Sequence, residues 1–119
     1  MTIGYSVTSI DTFAFRRCSN LASVTIGDRV TSIGSWAFGE CSALQSVTIP
    51  DSVTTIDSHA FDDCEALHSV IIGNSVTSIG GFAFRDTDVT TVYMSDAVRI
   101  NLGISSFGTG QSFYGATNV

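Results

Sequence analysis

The residues in this chain whose types could do chemistry are three cysteines, two histidines and a group of carboxylates. Cys18, Cys41 and Cys64 recur at a spacing of 23 residues, which invites a disulfide or a metal site. Stacked at a fixed repeat, however, their Cβ vectors run parallel at about 4.8 Å, too far for good disulfide geometry, and three thiols cannot all pair. The expectation is a ladder of free, buried cysteines. Asp57, Asp62, Asp63 and Glu65 crowd one segment. Calcium needs oxygens that converge within a loop, and the D-x-D-x-D-G spacing is missing, so this reads as a solvated acidic patch. His59 and His68 could serve a Ser-His-Asp set, yet neither a G-x-S-x-G elbow nor an oxyanion-hole signature accompanies them. Gly108-Thr109-Gly110 is too short for a dinucleotide loop. No catalytic residue, metal or cofactor is therefore assigned, and the chain reads as a non-enzyme.

Binding chemistry remains. Phe13, Trp36, His59 and Phe82 form an aromatic column at the same spacing, a row that could stack sugar rings or anchor a protein. The plain alternative is that these rings seal the edge of a core. A second candidate is the outward stripe of a strand: Ala22, Ser23 and Thr25, then Gln45, Ser46 and Thr48, then His68, Ser69 and Ile71, then Thr90, Thr91 and Tyr93. It grows more apolar toward Ile71 and Tyr93, which makes that end the leading contact site for a protein partner.

These residues are placed by a repeat. Val7, Val30, Val53 and Val76 are 23 residues apart, as are Phe15, Phe38, Phe61 and Phe84. A fixed period of this size signals a solenoid whose units bury their apolar faces against each other. Each unit opens on Ser-Val-Thr-Ile, alternating and β-branched, the pattern of a half-buried strand. Gly27-Asp28, Pro50-Asp51, Gly73-Asn74 and Ser95-Asp96 then mark turns. A short extended piece such as Val30-Thr31-Ser32-Ile33 follows, and Ala-Phe-x-x-Cys-x-x-Leu, with its three-residue steps, predicts a 3₁₀ or single helical turn. Parallel strands are expected at Ser23–Ile26, Ser46–Ile49, Ser69–Ile72 and Thr91–Met94. The period drops to 22 after Phe84, so Val89, Val92 and Met94 continue the Leu, Val and Ile columns. A degenerate unit at 102–107 precedes a glycine-rich tail. The chain thus divides into a solenoid of about four to five rungs over residues 1–107 and a tail or cap over 108–119, in which Phe107, Phe113 and Tyr114 are candidate capping residues.

Composition narrows the partners. Charged residues make up 13% and hydrophobic residues 44%, outside the disordered range. The net charge is −6, with five arginines and no lysine, which argues against nucleic acid. No run of apolar residues is long enough to span a bilayer. Met1-Thr2-Ile3-Gly4 sits in register with Val24-Thr25-Ile26-Gly27, so the chain starts inside a repeat, and its exposed edge is a candidate for self-association.

The stretch Val53-Thr54-Thr55-Ile56-Asp57-Ser58-His59-Ala60-Phe61-Asp62-Asp63-Cys64-Glu65-Ala66-Leu67-His68-Ser69-Val70 resembles the leucine-rich repeat of the BspA-like, or Treponema pallidum, type. The likeness covers residues 1 to about 107 through the joint pattern I-G-x-x-A-F-x-x-C-x-x-L-x-x-V-x-I. It implies a mostly β, α/β-type right-handed superhelix with parallel stacked strands on its inner face. It also implies a non-enzymatic module of a surface or secreted protein that binds other proteins or adheres to cells, with a structural spacer and a carbohydrate-binding surface as alternatives.

Overall fold

The computed structural model describes residues 1–95 together with Ala97 and Val98. The degenerate unit at 102–107, the tail at 108–119 and the capping candidates Phe107, Phe113 and Tyr114 lie outside the described residues.

Among the described residues seven short strands follow one another: β1 (Ser9–Ile10), β2 (Ser32–Ile33), β3 (Ser46–Ile49), β4 (Thr55–Ile56), β5 (Ser69–Ile72), β6 (Ser78–Ile79) and β7 (Thr91–Tyr93). They form two parallel sheets, one in the order β1-β2-β4-β6 and the other in the order β3-β5-β7. Every pairing joins equivalent residues of consecutive rungs, Ser32 with Thr55 and Val47 with Val70 for example. The wall built from Ser-Val-Thr-Ile is as expected. The wall built from Val-Thr-Ser-Ile goes further than an extended piece, because it pairs into a sheet of its own. Two boundaries differ. At Ser23–Ile26 there are only isolated bridges, Ser23 to Ser46 and Thr2 to Thr25, since the neighbour on the outer side is the short stretch Met1–Ile3. The last strand ends at Tyr93 rather than at Met94.

The third wall of each rung is a chain of turns, not a helical turn. Ala14 N–H bonds Asp11 O at 3.1 Å, Cys18 N–H bonds Phe15 O at 3.3 Å and Leu21 N–H bonds Cys18 O at 3.0 Å, which accounts for the three-residue apolar steps. Residues in the left-handed region bracket the segment: Phe13 and Arg17, Trp36 and Glu40, His59 and Asp63, Phe82 and Asp86, with φ from 55° to 63°. They break any helix before it can propagate. Between these turns, Phe13, Phe15 and Arg17 N–H groups reach Ser35, Ala37 and Gly39 O at 3.0, 2.7 and 2.8 Å. The next pairs repeat this, with Phe61 N–H to Ala83 O at 2.7 Å and Asp63 N–H to Arg85 O at 2.8 Å. Left-handed backbone costs a non-glycine residue roughly 1–2 kcal/mol. Stacking and inter-rung hydrogen bonds offset it here.

Inside the three walls the repeated columns form ladders. Phe38, Phe61 and Phe84 are fully buried, as are Cys41 and Cys64, Leu44 and Leu67, and Val30 and Val53. The phenylalanine rings lie nearly parallel, with centroids 5.1 to 5.3 Å apart. Strand spacing sets that separation, so the rings tilt into the offset arrangement that aromatic faces prefer. Glycine is required where the rungs close up most tightly. A Cβ on Gly34 would lie 2.6 Å from Thr12 N, and one on Gly80 would lie 2.3 Å from Ser58 N. Asp11 and Asp57 hold the same position in the rungs between, so glycine recurs at every second rung.

Candidate functional site

Left-handed Phe13, Trp36, His59 and Phe82 are turned onto one edge of the solenoid, where their rings line up along its axis. Trp36 and His59 are parallel within 2° at 4.7 Å, and His59 stacks on Phe82 at 5.4 Å. The Arg16 guanidinium lies 5.3 Å from the Phe13 ring centre and 4.6 Å from that of Trp36, and Arg85 lies 4.8 Å from that of Phe82. The faces of Trp36 and His59 are therefore covered by their neighbours, and guanidinium groups cover part of the terminal rings. Phe13 and Phe82 remain exposed at the two ends of the column. Sugar stacking needs an open ring face, and the middle of this row offers only ring edges.

Charges lock the same edge through pairs that join one rung to the next. Glu40 takes Arg16 at 2.8 Å and Arg17 at 2.9 Å, and these hydrogen bonds hold its carboxyl below the usual carboxylate range. The sequence places Asp62 in a solvated acidic patch. It is instead buried, 1% exposed, and receives His59 Nδ1 at 2.6 Å and Arg85 at 2.8 Å. Burial is possible because the Arg85 guanidinium and the His59 ring nitrogen both satisfy it. Its partner gains in turn: the Asp62 carboxylate raises the Arg85 guanidinium above its ordinary value. The signal in the sequence was the spacing of 23 and 24 residues between these groups, one rung apart in space. Asp57 and Glu65 are exposed as expected, and Asp63 is half-buried. Desolvation, then repulsion from Glu65, Asp86, Asp62 and Glu40, pushes the Asp63 carboxyl up.

The cysteine ladder is free, with Cys41 and Cys64 buried and Cys18 half-buried. Each inner thiol donates to a carbonyl of the preceding rung, Cys41 to Phe15 O at 3.2 Å and Cys64 to Phe38 O at 3.0 Å. The neighbouring Cys41 thiol, and burial with it, pushes the Cys64 thiol up, so it stays protonated and unreactive. Among the described residues no group of three His, Cys, Asp or Glu side chains is placed to hold a metal. Nor is any helix long and apolar enough to cross a membrane.

On the β3-β5-β7 sheet the alternation is strict: Val47, Ile49, Val70, Ile72 and Val92 point inward, and Thr48, Ile71 and Tyr93 outward. Register sets Ser46, Ser69 and Thr91 side by side, and likewise Thr48, Ile71 and Tyr93. Ser23, Thr25, Gln45, Ser46, Thr48 and His68 are exposed, and Ser69 and Thr91 half-buried. Ile71 and Tyr93, each 46% exposed, form the only large apolar pair on this face among the described residues. The face carries no Asp, Glu, Lys or Arg at these positions.

Residues 1–113 match the model of the BspA type leucine rich repeat region, in 6 copies. A leucine rich cell surface protein of Faecalibacterium prausnitzii is 28% identical, with a TM-score of 0.81; 99% of this chain aligns to 30% of that one. A leucine-rich repeat protein of Bacteroides ovatus is 24% identical at a TM-score of 0.79, again over 99% of this chain and 30% of the other. The T. pallidum leucine rich repeat protein aligns at 24% identity and a TM-score of 0.63, over 85% of this chain and 65% of its own. This chain thus spans about a third of the first two. No curated protein sequence matches it.

Proposed function

Since this chain belongs to the BspA-type leucine-rich repeat family, we propose that it is a non-enzymatic module which binds another protein through the β3-β5-β7 face, within a surface or secreted protein. The observation that carries the reading is the pair Ile71 and Tyr93, held side by side by strand register and left uncovered on an otherwise hydroxyl-lined wall. Core columns cannot supply specificity, because they are closed and nearly identical in every rung. The strand face varies from rung to rung while its backbone keeps one parallel register, the combination that recognition requires. A surface setting is supported by the cell surface description of the Faecalibacterium relative.

The test is site-directed photo-crosslinking. A crosslinker placed at Ile71 is expected to capture a defined partner from host or bacterial cell-surface extracts, whereas one at exposed Thr54, on the β1-β2-β4-β6 wall, is not. Equal capture from both walls, or none from Ile71, overturns the reading.

A further inference from the structure

Charge around the apolar pair identifies its partner by class. Every described arginine is engaged within the molecule: Arg16 and Arg17 on Glu40, Arg85 on Asp62, and Arg29 on Tyr5, by a hydrogen bond of 2.8 Å and a ring contact of 4.4 Å. The chain has no lysine, so the described surface offers no unengaged cation of that kind. The carboxylates are distributed otherwise. Glu65 lies in the turn leading into β5 and Asp88 in the turn leading into β7; Asp51 lies beyond the end of β3, and all three are exposed. Carboxylates thus stand in the segments that lead into β5 and β7, which carry Ile71 and Tyr93, and beyond the end of the adjacent β3.

Resting on the strand-face reading above, we propose that the partner is a lysine- or arginine-rich protein segment that seats an apolar side chain between Ile71 and Tyr93 while its cations meet Glu65, Asp88 and Asp51. Apolar burial supplies the anchor, and the acidic flanks supply attraction and orientation at long range. An acidic or neutral segment with the same apolar centre meets repulsion or no steering.

Three synthetic peptides serve as probes, measured by fluorescence anisotropy against the full chain: a Leu-Phe centre with lysine flanks, the same centre with glutamate flanks, and a Ser-Ser centre with lysine flanks. Binding of the first alone is expected, weakening about tenfold between low and moderately high salt. Ile71→Ser should abolish it, and Glu65→Gln with Asp88→Asn should remove most of the salt dependence while circular dichroism stays unchanged. If the glutamate-flanked peptide binds as well and binding still needs Ile71, the strand face stands and the cationic partner falls. If the Ser-Ser peptide binds equally, the attraction is only that of net charge and the inference fails. It fails also if no peptide binds, or if Ile71→Ser changes nothing; in that last case the crosslinking experiment decides the strand face separately.

Discussion

Asp62 and Asp63 are adjacent carboxylates with opposite circumstances. Asp62 is enclosed by Arg85 and the His59 ring, so Arg85→Met leaves a buried carboxylate with His59 alone and should shift the urea unfolding midpoint to lower concentration. Asp63 meets only like charge. Its raised pKa means that the folded state holds the proton more tightly, so ionised Asp63 costs stability at neutral pH, and the cost disappears as pH falls through the raised value. Asn at this position removes the repulsion and suits the left-handed backbone, φ 61°. Asp63→Asn should therefore raise stability by about 0.5 kcal/mol at neutral pH. Glu40 has the contrary sign: its pKa is depressed, so its contribution persists above the ordinary carboxylate value and vanishes as pH falls through the folded one. Stability measured by thermal melts should first rise slightly on mild acidification and then fall, with the fall reduced in Glu40→Gln.

At the scale of the element, the turn wall depends on backbone contact rather than on propensity. Gly80→Ala drives a methyl against the Ser58 N–H and should cost about 2–4 kcal/mol, checked by chemical denaturation, while Gly81→Ala, with nothing within 4 Å, is expected to be far milder. Phe61→Ala, in the middle of the stacked ladder, should cost about 3–5 kcal/mol. These elements were unequally legible in the sequence. Ser46-Val47-Thr48-Ile49 announces a strand because alternation and β-branching agree. Ala37-Phe38 through Leu44 announces its three-residue steps but not the left-handed turns that interrupt them, since neither Trp36 nor Glu40 is a residue that favours such backbone. The stripe ending at Ile71 and Tyr93 could be named from period-two alternation alone. The Arg16–Glu40 and Arg85–Asp62 pairs are marked only by spacings of 24 and 23 residues, because they cross rungs and depend on rotamers that no local pattern encodes.

In the whole molecule, protection should be graded along the axis. Val7, Phe15, Cys18 and Leu21 are half-buried, whereas their counterparts one rung on, Val30, Phe38, Cys41 and Leu44, are fully buried. Native-state hydrogen exchange is expected to be fastest for the amides of the first rung and slowest between Phe38 and Val70. A thiol reagent should modify Cys18 under native conditions and reach Cys41 and Cys64 only on unfolding. The turn wall adds a property of another kind. The amides of Phe13, Phe15 and Arg17 point to the following rung and the carbonyls of Ser35, Ala37 and Gly39 to the preceding one, so the equivalent carbonyls of Thr12, Ala14 and Arg16 face outward at the first rung. Two molecules meeting by these ends about a two-fold axis would set acceptor against acceptor along this wall. Only a rung arriving in the same sense brings donors to that surface. The solenoid is a vector, and whatever lengthens it must respect its arrow.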